Sequence, residues 1–266
     1  LRAQCDALCA RFENAASAEE QIAAYQDFEE LSKDVMTNLT IASIRHTVDT
    51  RDEFYNAEND FSDDASPQIE EMFQKFNQAL LASKFRPELE KHYGTLIFKK
   101  AEISARAFSP EILDLMQEEN QLASQYQKLY ASGMVEFRGE KLPLPKLGPY
   151  MESPDRATRR EAYAARASFF EANRAELDEL YGKLIRCRNE QGRRLGHKNY
   201  IQLGYDRLGR NCYTPEDVAA FREQIARDMV PIVAERKQAQ KERIGVDRIC
   251  LYDDKFLFPD GNAKPE

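Results

Sequence analysis

The chain has 266 residues, 42% of them hydrophobic and 32% charged, with a net charge of -8. That balance excludes a disordered segment, and apolar runs of only a few residues exclude a membrane span, which needs about 20. Five cysteines, an odd number without a CxxC pair, exclude a disulfide framework and point to a reducing, cytoplasmic setting.

The first residues, Leu1-Arg2-Ala3-Gln4, carry neither an initiator Met nor a basic-then-apolar leader pattern, so a trimmed end is expected here. Cys5 and Cys9 stand one helical turn apart with no histidine nearby, which predicts ordinary helix-face thiols and not metal ligands. Residues 18–39 then place Ile22, Tyr25, Phe28, Leu31, Val35 and Leu39 at spacings of three and four, the mark of an amphipathic helix. The same pattern predicts helices over 67–82 (Ile69, Met72, Phe73, Phe76, Leu80) and 111–131 (Ile112, Leu115, Leu122, Tyr126, Leu129). Ser66-Pro67, Ser109-Pro110, Ser153-Pro154 and Thr214-Pro215 each put a capping hydroxyl before a proline suited to the first helical position, and all four are expected to open helices.

From Met134 to Leu142 apolar and polar residues alternate around Gly139, which predicts a β-hairpin. Pro143, Pro145, Gly148 and Pro149 argue against helix up to Tyr150, and the main boundary is expected there. The predicted fold is all-α: two helical units, 1–149 and 150–266, with one small hairpin near 134–142. A long amphipathic helix is expected from Pro154 to about Leu195, its apolar face marked by Tyr163, Phe169, Phe170, Leu177, Leu180, Tyr181, Leu184 and Ile185. Arg193-Arg194 before Gly196 read as a basic last turn and a glycine cap. Asn199 with Gln202 reads as a capping box opening a short helix that Gly209 closes. Thr214 opens a further helix towards Gly245, with Val218, Phe221, Ile225 and Met229 expected inward and a kink expected at Pro231. The ending, Phe256-Leu257-Phe258-Pro259 followed by Gly261 to Pro265, reads as a turn-rich connector with no closing helix, as in a truncated chain.

The chemistry-bearing residues are sparse. Two zinc-binding imidazoles on one helix face need the spacing His-x-x-x-His, whereas His46, His92 and His197 are far apart. No Gly-x-Ser-x-Gly elbow, phosphate-cradling glycine loop or cysteine signature is present. Gly182 and Gly192, inside or beside a helix, are expected to permit close packing. The acidic pairs Asp63-Asp64, Glu118-Glu119 and Asp253-Asp254 are expected to be solvated faces or caps, given 46 acidic residues in all. No catalytic, metal-ligating or substrate-binding residue is assigned. Charge is uneven, with net values of -10, +4 and -2 over 1–150, 151–210 and 211–266. The basic arginines of the middle segment interleave with glutamates at helical spacing, which predicts a helix face and no nucleic-acid partner.

The order of local motifs carries more than any one of them. Ser153-Pro154-Asp155-Arg156, Arg159-Arg160-Glu161-Ala162, Phe169-Phe170, Glu176-Leu177-Asp178 with Tyr181, Leu195-Gly196-His197-Lys198-Asn199, Gly204-Tyr205-Asp206-Arg207 and Tyr252-Asp253 follow one another. This succession resembles the oligoendopeptidase F branch of the zinc metallopeptidases, which includes thimet oligopeptidase. Residues 42–50, Glu53 to Glu58, Leu89 to Gly94 and Phe108 to Ile112 resemble the N-terminal domain of the same family, and Phe137 to Leu142 its small hairpin. Cys212 departs from the pattern, standing where the family often has an acidic residue. The resemblance implies a cytoplasmic helical enzyme hydrolysing short peptides within a channel, with 1–149 as channel wall and 150–266 as the start of the catalytic domain. It also implies zinc held by His-Glu-x-x-His and a later glutamate. That pentapeptide is absent here, so the family's metal and catalytic residues are expected C-terminal to Glu266, and this chain alone is expected to be inactive. Two alternatives stand beside this reading: a non-catalytic helical peptide- or protein-binding module, and a half-enzyme needing a separate C-terminal half. Exposed apolar surface that such a half would cover makes self-association an expected property.

Overall fold

A computed structural model describes residues 1–262. The chain is helical from end to end apart from one hairpin, and by packing it groups into two compact units. The first comprises Leu1–Gln125 and Tyr181–Tyr213, and the second Tyr126–Leu180 and the chain from Thr214 onward. Packing thus groups the residues differently from the 1–149 and 150–266 division expected from sequence.

The first unit begins with α1 (Arg2–Glu13), α2 (Ala18–Val48), α3 (Glu53–Leu81), α4 (Arg86–Tyr93) and α5 (Leu96–Ala107). Each of the two long helices starts where a short polar side chain satisfies an orphan backbone donor: Ser17 accepts from the Glu20 N–H, and Asp52 from the Tyr55 N–H. The apolar stripes of these helices meet in one core, where Phe28 stacks on Phe76 at 3.9 Å with Phe12 5.1 Å away, and Leu80, Leu89 and Phe98 close the layer. Rings packed in this way bury large areas, so this cluster is the main cohesive element of the unit.

Ser66-Pro67 does not open a helix. Pro67 lies inside α3, and Ser66 donates its hydroxyl proton to the Ser62 carbonyl one turn back. Proline removes the N–H that would have bonded the Asp63 carbonyl, and its ring crowds the preceding turn. Both openings are met from α6 (Leu113–Ala131): Asn120 Nδ2 donates to the Asp63 carbonyl at 3.0 Å, and Gln117 Nε2 to the Asp64 carbonyl at 2.9 Å. Replacing Asn120 by alanine strands a partly buried carbonyl, so Asn120→Ala is expected to lower stability by about 1–2 kcal/mol in chemical denaturation.

Ser109-Pro110 opens a single 3₁₀ turn, Pro110–Ile112, with the Ser109 hydroxyl accepting from the Glu111 N–H before α6 begins. In the second unit β1 (Met134–Phe137) pairs antiparallel with β2 (Glu140–Pro143), as the alternation predicts. The two-residue turn needs positive φ at both positions, and Arg138 (φ 54°) and Gly139 (φ 83°) supply it. An arginine in that conformation is strained, and it is held by bonds from its guanidinium to Thr158 Oγ1 (2.6 Å) and the Glu161 carboxylate (3.1 Å). The prolines that follow do not exclude helix: a 3₁₀ turn spans Leu144–Leu147, and α7 spans Gly148–Met151. Pro145 and Pro149 sit in the first positions of these turns, where a missing N–H costs nothing.

The predicted helix from Pro154 to Leu195 is two helices, α8 (Arg156–Ala172) and α9 (Arg174–Arg194). Asn173 breaks the run by turning its side chain back to the Phe169 carbonyl, the local competition that makes asparagine a terminator. Ser153 and Pro154 precede the first of these helices without opening it, since Asp155 is the cap and accepts from the Ala157 and Thr158 N–H groups. On α9 Leu180 and Leu184 are buried as expected, whereas Tyr181 and Ile185 are exposed. Gly196 ends α9 at φ 83°, with its N–H on the Arg193 carbonyl and the His197 N–H on the Gly192 carbonyl. Asn199 opens α10 (Tyr200–Arg207) through the Ile201 N–H, but Gln202 bonds Asp206 and leaves the capping box incomplete. A Cβ on Gly192 would lie 2.5 Å from the Asn199 carbonyl oxygen, so this glycine does permit close approach, whereas at Gly182 only the Arg186 side chain is near.

Thr214 opens α11 (Pro215–Gln224) with a full capping box to Asp217. Instead of a kink at Pro231, a π-helical turn, Ile225–Met229, precedes α12 (Val230–Arg243). The Val230 N–H reaches back five residues to the Ile225 carbonyl, a widened turn just before the proline that cannot donate. Beyond α12 a 3₁₀ turn spans Leu251–Asp253, and the Asn262 side chain bridges the Leu257 N–H and the Lys255 carbonyl. Ala263, Lys264 and Pro265 of the expected connector lie outside the described residues. No helix among the described residues is long and apolar enough to cross a membrane.

Candidate functional site

The residues present do not fit a zinc ion. Among the described residues no group of three or more His, Cys, Asp and Glu side chains could hold a metal. His46 is buried on α2 with neither ring nitrogen hydrogen-bonded, His92 lies on α4, and His197 follows the α9 cap. All five cysteines are free thiols, and burial pushes Cys9 up to about 11, against the thiolate a metal requires.

The best-formed concavity of the first unit has a volume of about 580 Å³ and opens beside the Pro67 break. Ser66 and Glu70 of α3, Lys100 and Ser104 of α5, Glu119 and Asn120 of α6, and Tyr200, Asp206 and Arg207 of α10 line it. The motif Gly204-Tyr205-Asp206-Arg207 therefore contributes its last two residues to this wall. Arg207 donates to Glu119 Oε2 at 2.8 Å and also to the Gln191 side chain, while Arg188 donates to Glu119 Oε1 at 2.7 Å. Gln191 completes the carboxylate's shell at 2.9 Å. Burial pushes the Glu119 carboxyl up, but the hydrogen bonds from Arg188 and Gln191 and the charges of Arg207 and Arg188 outweigh it and hold the group below the ordinary glutamate value. Asp206 is buried, paired at 3.5 Å with Arg106 and bonded to Gln202 through the same oxygen. The result is a fixed array of matched charges. It lacks a nucleophile with an adjacent base, so its chemistry is binding and positioning.

A second array lies in the second unit, where the segments Ser153 to Arg159 and Cys250 to Phe256 meet. Asp253 is fully buried and accepts from Arg156 (2.8 and 3.1 Å), Arg159 (2.8 Å) and the Cys250 N–H (3.0 Å). Arg159, 1% exposed, spends its other donors on the carbonyls of Ser153, Pro154 and Tyr252 and lies 3.9 Å above the Phe256 ring. Gln240 of α12 donates to the Asp253, Asp254 and Phe256 carbonyls. Every donor of this buried group finds an acceptor, as a charge in a dry interior requires.

The expectation that the acidic pairs are solvated holds for one member of each. Asp64, Glu118 and Asp254 are exposed. Their neighbours turn inward: Asp63 accepts from Ser124 at 2.6 Å and Asn59 at 3.2 Å, and Glu119 and Asp253 anchor the two arrays. Successive residues on a helix or turn point in different directions, so a pair reads as exposed although one member is not. The basic partners, 69 and 94 residues away, give no local signal.

Residues 1–108 match the family model for the peptidase M3 N-terminal domain, and residues 149–259 match that for peptidase family M3. The chain belongs to peptidase family M3. Two solved structures, PZ peptidase A with an inhibitor and a putative oligoendopeptidase F, are each 41% identical to this M3 chain, with TM-scores of 0.96 over 98% of its length. A putative oligoendopeptidase F from Bacillus anthracis is 38% identical with a TM-score of 0.95 over the whole chain. The M3 chain spans about half the length of each: 46% of the first two and 49% of the third. No curated protein sequence matches. The two arrays are thus built from motifs of an M3 scaffold.

Proposed function

We propose that this chain is the N-terminal part of a zinc-dependent metallo-oligopeptidase that hydrolyses short peptides, with the zinc site on residues C-terminal to Glu266. The observation that carries the reading is the likeness over nearly the whole chain, at 41% identity, to structures described as PZ peptidase A and oligoendopeptidase F, each of which continues for about as long again. In this reading residues 1–149 supply a channel wall, residues 150–266 start the catalytic domain, and the Glu119 and Asp253 arrays hold those parts rigid. A cytoplasmic setting belongs to the same proposal and is supported by five free thiols.

The chain alone is expected to bind no stoichiometric zinc and to leave a quenched fluorescent peptide uncleaved. The product of an open reading frame that extends past Glu266 is expected to bind one zinc and to cleave it. One tightly bound zinc on the 266-residue chain, measured by elemental analysis after dialysis, would overturn the assignment.

A further inference from the structure

The helix formed by α11, the π turn and α12 has no packing partner along most of its length. Every residue from 220 to 236 is exposed, although the sequence predicts an inward apolar face. Phe221 is 60% exposed, Met229 50%, Val230 55% and Val233 50%, with Ile225 and Ile232 also open. Only the C-terminal end is clamped, by Gln240, by Lys237 on Asp254 (2.6 Å) and by Arg243 on the Leu257 carbonyl. Helices in water draw most of their stability from burying an apolar face, so this helix presents a face that is complete but uncovered.

The π turn sharpens that face. In a regular α-helix a step of four residues overshoots a full turn by about 40°, so Phe221, Ile225, Met229 and Val233 would spiral around the axis. The widened turn at Ile225–Met229 takes up extra residues and returns the later pair towards the line of the earlier one. Arg227 and Asp228 are meanwhile occupied with each other at 2.8 Å.

We propose that this face, centred on Phe221, Ile225, Met229 and Val233, is the seat of the helical second half of an M3 peptidase chain. The proposal rests on the oligopeptidase reading above. Two observations choose this occupant: the helix lies within the segment that matches peptidase family M3, and the structures that superpose on it at 41% identity carry as much chain again beyond the matched region. A contiguous apolar stripe on a helix takes a partner of the same kind, another amphipathic helix or helix pair.

The test is co-expression of the tagged 266-residue chain with the part of PZ peptidase A that lies beyond the matched region. The wild-type chain is expected to co-purify with it at one to one. The triple variant Ile225→Ser, Met229→Ser, Val233→Ser is expected to retain its far-UV circular dichroism and to lose capture about tenfold or more, because three apolar contacts are removed. The variant Phe54→Ser, Phe61→Ser removes equally exposed apolar surface from α3 and is expected to capture the partner as the wild type does. Capture by the triple variant at the wild-type level, equal loss in both variants, or no capture by the wild-type chain would each overturn the proposal. A homodimer that the triple variant abolishes, with no capture of the second half, assigns the face to a second copy and overturns it too. A complex that needs this face but holds no zinc and cleaves nothing leaves the docking intact and removes the oligopeptidase reading. Cleavage undiminished in the triple variant's complex does the reverse.

Discussion

Asp253→Asn is expected to lower stability by about 3–5 kcal/mol, since it leaves Arg159 charged and buried without its counter-ion. For a structure of this size that corresponds to a melting temperature lower by roughly 10 °C. The asparagine fills the same space, so the loss is electrostatic and not a cavity. The pH dependence separates this from other causes. Burial pushes the Asp253 carboxyl up, but the hydrogen bonds from Arg156, Arg159 and the Cys250 N–H overcome it and leave the group below the ordinary aspartate value. A lowered native value means that the stabilisation is complete above the unfolded aspartate value of about 3.9 and is lost as pH falls through the native one. The gap between wild type and Asp253→Asn, followed by thermal melts, is therefore expected to be full at pH 7 and to narrow below about pH 4. A gap that stays constant over that range removes the ion pair as its cause. Adding Arg159→Met to Asp253→Asn relieves the unpaired charge and is expected to recover part of the loss. Recovery is incomplete because the carbonyls of Ser153, Pro154 and Tyr252 lose their donor.

What the sequence made legible follows the range of each signal. Periodicity and capping act within one helix, so α2, the hairpin, α10 and the Thr214 start are read from their own residues. The misreadings lie where a distant residue decides. Pro67 reads as a helix start, but α3 runs through it because Asn120 and Gln117 supply the donors that the proline turn lacks. The face from Phe221 to Val233 reads as buried from its stripe, and its exposure is a property of what packs against it. Asn173 is the exception, a break with a local cause that a long apolar pattern on both sides obscured. The motif order carried the family, since it integrates many weak local signals, whereas the two charge arrays were invisible because their partners lie far apart along the chain.

Glu119→Ala tests whether the array beside the concavity is held from its hidden member. The glutamate side chain is 13% exposed and takes donors from Arg188, Gln191 and Arg207, which lie on α9 and α10. Removing it leaves two guanidinium groups without their acceptor, but both reach water, so the cost is below that of a fully buried pair, about 2–3 kcal/mol. Glu118→Ala, one residue earlier and exposed, is expected to change stability by less than about 0.5 kcal/mol. Unfolding by denaturant, monitored by circular dichroism, measures both, and equal effects would show that the array contributes nothing beyond surface charge. Acid acts on the wild type in the same direction as on Asp253. The Glu119 carboxyl is held below its ordinary value, so its contribution is present above about pH 4.3 and falls away as the pH drops through the native value. In Glu119→Ala that part of the acid sensitivity is absent. Because Arg207 leaves the wall of the concavity unsupported when Glu119 goes, hydrogen exchange is expected to quicken first at Tyr200–Arg207, before the Phe28–Phe76 core opens.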